Sequence, residues 1–376
     1  MREASARLKH EAVVLYPVRA SVPEHESVIH TDIAKRIAAL MHVPFDGIYS
    51  AERHRGKRCY FVPTDTLISP ALRDSLGIRG ETDIFGGYAD YSFMPTKAIT
   101  HAAPGPAARR PSGWSDTFGF RVQTATLPGY TVFSIDDLHT AGARMLSAGG
   151  PVRLKPVKAT GGRGQSVVSD SAGLNAAASD VDHETMQECG LVLEANLQGV
   201  ATYSVGQVRL PGLTSSYIGT QRLTRDNHGQ DVYGGSRLRF IRGGYAALHD
   251  LPLSEECHRA IELAESYDQA ADECYPGFFA SRRNYDVAAG TDAHGNRIMG
   301  VLEQSWRIGG ASRAEVAALE VLMAEPGCEG LWAETLELFG DHEAAPQDAI
   351  QTYAGVDPDV GLIRKYIRVE VYGNKQ

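Results

Sequence analysis

The stretch Val152–Val168, VRLKPVKATGGRGQSVV, restricts the possible folds of this chain more than any other segment does. An apolar strand that carries Lys155 runs into a loop with Gly161, Gly162 and Gly164, and a second apolar run follows. This order predicts a β-hairpin. Glycines let backbone N–H groups approach phosphate oxygens closely, and a nearby lysine adds positive charge. The hairpin therefore fits a flap over a polyphosphate, with an ordinary glycine-rich turn as the alternative.

The composition is that of a globular protein of 376 residues, 43% hydrophobic and 22% charged, with room for two or three subdomains. No apolar run reaches the roughly 18 residues of a membrane span, and the N-terminus lacks the features of a signal peptide. A formal net charge of −9 without a basic stripe argues against nucleic acid as a partner. Five scattered cysteines indicate reduced thiols, so we expect a cytoplasmic location.

The first part of the chain alternates strands and helices. Ala12–Tyr16 and Arg58–Val62 are predicted strands, and Asp32–Met41 and Ser69–Leu76 are predicted helices. This alternation is typical of a small α/β domain with a parallel sheet, which we place at residues 1–90.

Later segments mix helices with paired strands. Asp136 or Asp137 is expected to cap a helix that ends at Ser147, and Ser312 with Glu315 has the spacing of a capping box. The remaining predicted elements are strands at 190–197, 201–210, 278–289, 297–304 and 363–371, and helices at 172–178, 255–273 and 331–338.

Asp286 and Glu303 lie on the two strands that flank the polar turn TDAHGN. A hairpin of this size brings the two carboxylates near each other. Both acids sit among apolar neighbours, and acidic residues are rarely buried without a partner. Two carboxylates beside a polyphosphate suit Mg²⁺, although solvated strand-face charges remain the alternative.

The succession KPVKATGGRG, LVLEANLQG, Asp286 and LEQSWRIGGAS resembles the ATP-grasp superfamily, which includes D-alanine–D-alanine ligase and biotin carboxylase. The closest resemblance is to an uncharacterised proteobacterial family of ATP-grasp-like proteins. It covers roughly residues 90–325 and implies an α+β ATP-grasp fold behind the small α/β domain. Residues 91–190 then form the first grasp subdomain, with the glycine-rich loop. Residues 191–376 form the second, with the metal site.

For the nucleotide, the resemblance implies the following contacts. Lys97 lies near the α-phosphate or the adenine, and Lys155 reaches the adenine and the α-phosphate. Glu194 and Leu197 hold the adenine edge. The loop glycines that close over the β- and γ-phosphates are Gly161, Gly162 and Gly164.

For the metal and the substrates, the resemblance implies that Asp286 and Glu303 bind Mg²⁺. Ser305 stands where the family has an asparagine ligand, and Ala201 stands where it has a ribose-binding acid. Arg307 matches an arginine that faces the acceptor. Arg282 shares a strand face with Asp286 by period-two alternation, so it is our candidate for stabilising the acyl phosphate, with Arg283 as the competitor.

The implied activity is that of an ADP-forming ligase that uses ATP and Mg²⁺ to join a small carboxylate to an amine or similar nucleophile. No nucleic acid or membrane is expected as a partner, and a homodimer is possible. The alternative is a nucleotide-binding protein with lost or altered turnover. A dinucleotide-binding oxidoreductase is disfavoured because a strand, rather than a helix, follows the glycines.

Overall fold

The computed structural model describes residues 9–19, 21–158, 164–341 and 343–372. The strands within these residues are β1 (Ala12–Tyr16), β2 (Phe45–Ile48), β3 (Cys59–Pro63), β4 (Leu67–Ile68), β5 (Gly87–Ala89), β6 (Gly129–Val132), β7 (Val152–Pro156), β8 (Ser166–Val168), β9 (Leu191–Ala195), β10 (Gln198–Leu210), β11 (Leu213–Arg225), β12 (Asp231–Arg242), β13 (Phe279–Ala280), β14 (Arg282–Thr291), β15 (Arg297–Ser305), β16 (Gly330–Phe339), β17 (Ile350–Asp357) and β18 (Gly361–Val371).

The helices of the same residues are α1 (Glu24–Leu40), α2 (Pro70–Leu76), α3 (Asp116–Val122), α4 (Ile135–Ser147), α5 (Ser171–Ser179), α6 (His183–Cys189), α7 (Tyr245–His249), α8 (Glu255–Cys274) and α9 (Ser312–Ala324). Two short 3₁₀ turns cover Glu81–Asp83 and Lys97–Thr100. None of the helices in this part of the chain combines the length and apolar composition that a membrane crossing requires.

The chain begins with a small parallel sheet in the order β2-β1-β3, which confirms the predicted N-terminal α/β arrangement. Helix α1 starts at Glu24, eight residues before the predicted start, with Glu24 and Glu26 in its first turn. Acidic side chains there favour the positive end of the helix dipole. The buried residues Ile29, Ile33 and Ile37 then repeat at intervals of four and form the apolar stripe of the helix.

The largest sheet has eight strands in the order β15-β14-β10-β11-β12-β16-β18-β17, and all neighbouring strands in it are antiparallel. Helices α1 and α9 share a buried apolar cluster with strands of this sheet. The mixed α+β architecture predicted from the sequence is therefore confirmed. The shared core packs α1 together with strands β10, β11, β12 and β16 of the large sheet.

A four-stranded antiparallel sheet, β6-β9-β7-β8, contains the hairpin predicted around the glycine loop. Val152 of β7 pairs with Val168 of β8 at its base. Gly161 and Gly162 lie outside the described residues, whereas Gly164 has a φ of +67°, which glycine adopts at little cost.

Three predictions of local structure are wrong. Residues 331–338 belong to strand β16 instead of a helix. Leu331, Ala333 and Thr335 alternate into the core, and this sheet packing overrides the helix preference of the Leu, Ala and Glu residues in the segment. Helix α4 is capped by Ser134, whose hydroxyl accepts from the Asp137 amide, and neither Asp136 nor Asp137 caps it. The Ser312–Glu315 capping box does not form.

Candidate functional site

Asp286 of β14 and Glu303 of β15 are direct cross-strand neighbours, as the hairpin predicted. The register shifts next to this pair, because Val287 pairs with Val301 and Leu302 has no residue opposite. The extra residue in such a bulge shifts the alternation of the strand, so that residues two positions apart across it point to opposite faces. Here Val301 points into the core and is fully buried, whereas Glu303, two residues later, lies on the other face beside Asp286.

Asp286 lies in a group of polar side chains from two further strand positions. Asn284 donates its Nδ2 to Asp286 Oδ1 at 2.9 Å, and the Ser204 hydroxyl of β10 donates to the same oxygen at 3.3 Å. Burial raises the pKa of the Asp286 carboxyl, and the nearby Glu303 charge raises it further. Two adjacent carboxylates of this kind favour a bound cation.

Glu303 already has one positive partner, because Lys97 Nζ lies 3.0 Å from its Oε2. Lys97 is 7% exposed and begins the short 3₁₀ turn. Gln304 fixes the approach to this turn, since its amide donates to the carbonyl oxygens of Met94 and Thr96, both at 2.7 Å. The described residues contain no cluster of three or more His, Cys, Asp or Glu side chains arranged for a metal. A Mg²⁺ ion here would therefore rely on two carboxylates, a hydroxyl and phosphate oxygens.

Arg282 is held on both sides and is only 1% exposed. Its guanidinium makes a two-pronged contact with the buried Glu315, at 2.9 Å from Nε to Oε2 and 2.8 Å from Nη2 to Oε1. Its Nη1 donates to the Ser305 carbonyl at 2.9 Å and to the Ser305 hydroxyl at 3.2 Å. This contact explains why Glu315 caps no helix. Arg282 thus orients Ser305 at the end of β15.

The competing arginine, Arg283, is also buried and paired. It donates to Asp268 at 2.7 Å and to Asp272 at 2.9 Å, both on α8. Arg307 is more open, with 32% of its side chain exposed. Its Nη1 donates to the Ile308 carbonyl at 3.1 Å, and its Nε lies 3.7 Å from Asp65.

A second charged cluster lies on the four-stranded sheet. Lys155 contacts Glu194 Oε1, and His101 Nε2 lies 3.1 Å from Glu194 Oε2. All three side chains are almost fully buried. Burial alone would raise the pKa of Glu194, but attraction to Lys155 and the hydrogen bond from His101 hold it below its ordinary value. The strand end therefore carries a paired negative charge inside the protein.

Leu197 links the two clusters through apolar contacts. It is 8% exposed and belongs to a buried group with Leu127 and Ala288, against which Leu302 packs. Leu302 directly precedes Glu303, so the end of β9 and the carboxylate pair are connected through a common apolar patch.

Sequence reasoning missed several residues of this site. Asn284 had a recognisable pattern, since N-x-D on a strand places both side chains on one face. His101, Ser204 and Gln304 carry no such pattern, because their partners lie far away in the chain and only the fold brings them together.

Comparison with solved structures finds several similar chains. A biotin carboxylase–β-γ-ATP complex from Campylobacter jejuni is 13% identical, covers 97% of this chain and 88% of its own, and has a TM-score of 0.49. A carboxyaminoimidazole ribonucleotide synthase from Aspergillus clavatus, complexed with ATP, is 11% identical over 96% and 94% of the chains, with a TM-score of 0.49. D-alanyl-alanine synthetase A from Vibrio cholerae is 10% identical over 80% and 89%, with a TM-score of 0.39.

No curated protein matches the sequence. A family of uncharacterised proteins matches residues 13–367, which is most of the chain and includes both charged clusters. The prediction of membership in an uncharacterised family is thus confirmed. The chain belongs to the family described as "Protein of unknown function (DUF3182)".

Proposed function

We propose that this protein is an ATP- and Mg²⁺-dependent ligase that activates a carboxylate as an acyl phosphate for attack by an amine or similar nucleophile. The observation that carries the proposal is the cross-strand pair Asp286–Glu303, in which Lys97 contacts Oε2 of Glu303. A carboxylate pair next to a buried lysine suits a metal-bound polyphosphate, because the metal and the lysine both neutralise phosphate charge.

The nucleotide would lie between the two clusters. Its base would lie beside Leu197 with Glu194 at its edge, and Lys155 and Lys97 would meet the phosphates. Gly161, Gly162 and Gly164 would close over the β- and γ-phosphates. Asp286, Glu303 and Ser305 would hold Mg²⁺, which when bound withdraws charge from the β- and γ-oxygens.

Two bond exchanges then give the product. A carboxylate oxygen of the substrate attacks the γ-phosphorus, the bond from that phosphorus to the β,γ-bridging oxygen breaks, and ADP leaves with the electron pair. The amine nitrogen next attacks the acyl carbon, the carbon–oxygen bond to phosphate breaks, and inorganic phosphate leaves while the amine loses a proton to solvent. Closure of the glycine loop would keep water from the acyl phosphate in between.

Arg282 and Arg283, the two candidates for the acyl phosphate, are both buried and paired, so Arg307, expected to face the acceptor, is better placed to meet it. Its guanidinium is partly exposed and makes one hydrogen bond to the main chain of its neighbour. Arg282 is committed to Glu315 and Ser305, so we assign it the positioning of the serine ligand.

A nucleotide-binding protein without turnover is the second candidate. One observation favours it, because the Ser305 hydroxyl already contacts Arg282 at 3.2 Å and is therefore partly withdrawn from a metal. The ligase remains the better supported of the two, since a protein that only binds nucleotide has no need for both Asp286 and Glu303.

The decisive experiment is a thermal-shift titration with ATP and Mg²⁺, followed by an ADP-release assay over pooled carboxylates and amines. We expect a shift and acceptor-dependent ADP release, both lost in Glu303→Gln. The matched control is Glu334→Gln, a partly exposed strand glutamate on β16 of the same sheet. Binding without ADP release under every acceptor would favour the second candidate, and absence of binding would refute both.

A further inference from the structure

A cavity of about 370 Å³ opens between the start of α1, the segment 307–310 and strands β16 to β18. Its volume lies at the lower end of the range for small-molecule sites, about 300–1,000 Å³. It adjoins the carboxylate site through Gly309, since a Cβ placed on this glycine would lie 4.0 Å from Ser305 Oγ and 3.9 Å from Arg282 Nη2. The cavity therefore begins where β15 ends.

Three of the four acidic residues on the cavity wall already have a partner. Asp359 faces solvent, and each of the other three has a partner within 3.1 Å. The partnered pairs are Glu26 with Arg19, Glu337 with Lys365, and Asp357 with His25. A cationic ligand that approached Glu26, Glu337 or Asp357 would thus have to displace an existing partner.

The arginines on the wall are less well satisfied. Arg313 is 6% exposed and contacts Asp32, but its Nε has no hydrogen-bond partner among the described residues. Asp32 is also shared with Arg36. Burial lowers the pKa of the Arg313 guanidinium, and Asp32 offsets only part of this effect. With Arg307, the wall thus has two guanidinium groups, and the buried Nε of Arg313 still lacks a hydrogen-bond partner among the described residues.

His30 adds a third donor on the same wall. It is 5% exposed, and its Nδ1 has no hydrogen-bond partner in the described part of the chain. Burial is the main cause that lowers its pKa to about 4. The charge of Glu26 raises the pKa, and the nearby cations Arg19, Arg307 and Lys365 lower it. The imidazole is therefore neutral near pH 7 and lies among three cations and one acid. An anion placed here would be attracted by the cations and could accept a hydrogen bond from the ring.

We propose that this cavity binds the carboxylate group of a small organic acid, held by Arg307 and Arg313 with His30 as a further hydrogen-bond donor. A singly charged carboxylate fits better than a phosphate dianion, because Glu26, Glu337 and Asp357 would repel a second negative charge. That the bound acid is a ligase substrate rests on the proposed function. The binding itself does not.

The test is an NMR titration of the histidine rings in the full chain without nucleotide. Butyrate, glutarate and benzoate are the probes, and the corresponding neutral amides are the controls. We expect at least one acid to shift the His30 resonance saturably and to raise its pKa, because a bound anion stabilises the imidazolium. The amides should do neither, and His30→Gln identifies the resonance.

Variants show which arginine binds the acid. Arg313→Met and Arg307→Met should each weaken binding by roughly tenfold or more, the cost of a lost charged hydrogen bond. Arg36→Met is the matched control, since Arg36 shares Asp32 with Arg313 but is not among the lining residues. If Arg313→Met does not fold, Arg307→Met alone carries the test.

A thermal shift with ATP and Mg²⁺ in the same samples separates this proposal from the ligase function. If the ATP response is intact but no acid moves His30, or inorganic phosphate alone does, the cavity assignment is refuted and the ligase proposal stands. If an acid binds but ATP does not, the cavity assignment holds and the ligase proposal fails. Equal weakening by Arg36→Met would also overturn the assignment.

Discussion

Lys97 Nζ lies 3.0 Å from Glu303 Oε2, so a buried lysine neutralises one of the two carboxylates that face each other on β14 and β15. We expect Lys97→Met to lower the melting temperature, because Glu303 and Asp286 then repel each other without this partner. Added Mg²⁺ should restore more stability in the variant than in the wild type, since the ion replaces the lost positive charge. Thermal melts with and without millimolar Mg²⁺ measure this. Equal Mg²⁺ responses would argue against a cation site at the pair.

Asp286→Asn should stabilise the protein near neutral pH while removing any Mg²⁺-dependent nucleotide shift. The folded carboxyl has a raised pKa, so the folded state holds a proton that the unfolded chain loses above about pH 3.8. The resulting cost appears as the pH rises above that value and levels off above the folded pKa. It amounts to about 1.4 kcal/mol for each pH unit between the two midpoints.

Urea unfolding of wild type and Asp286→Asn from acid to neutral pH checks this prediction. The difference in the free energy of unfolding should grow with pH and then become constant. A difference that does not change with pH would mean that the pKa of the Asp286 carboxyl is not raised in the folded protein.

Glu194→Gln should destabilise the protein by about 3–5 kcal/mol, because it leaves the buried Lys155 charge uncompensated. The double variant Glu194→Gln/Lys155→Met should recover much of the loss, since no unpaired charge remains. Urea unfolding of Glu194→Gln, Lys155→Met, the double variant and the wild type completes the cycle. Additive losses would contradict a coupled buried pair.

The same carboxyl governs the acid side of the stability curve. The folded pKa of Glu194 is lowered, so its contribution is present above the unfolded value near 4.5 and disappears as the pH falls through the folded pKa. Glu194→Gln should therefore show a shallower loss of stability below about pH 4.5 than the wild type. Parallel curves in this window would assign the acid sensitivity to other groups.

Glu315→Gln should also cost about 3–5 kcal/mol, because Arg282 loses the carboxylate of its buried pair. Tyr217, which donates to Glu315 Oε1 at 2.7 Å, loses a charged acceptor as well. Arg282→Met should in addition weaken Mg²⁺-dependent nucleotide binding more than Glu315→Gln does, since only Arg282 contacts Ser305 directly. Unfolding curves and ATP titrations of the two variants separate the effects. Equal effects on nucleotide binding would exclude a role in orienting Ser305.

The proximity of Asp286 and Glu303 was predictable because a single tight turn joins their strands, and local chain geometry fixes the pairing. The hairpin around the glycine loop was predictable for the same reason. The Lys97–Glu303 pair was not, because nothing local links a 3₁₀ turn to a strand some 200 residues later. The error at 331–338 has the opposite origin: Leu, Ala and Glu favour helices locally, while the neighbouring strands β12 and β18 impose a sheet.

The two-residue strand β13 has a consequence for the order of events during synthesis. It pairs with β5 through Ala280 and Gly87, and Phe279 stacks on Tyr88 with ring centroids 5.0 Å apart. At ribosomal speeds of about 5–20 residues per second, β13 emerges roughly 10–40 s after β5. During that interval one edge of β5 is open to any passing strand. Completion of this small sheet therefore waits for the last third of the protein, and a nascent chain stalled before that point is exposed to mispairing or chaperone capture.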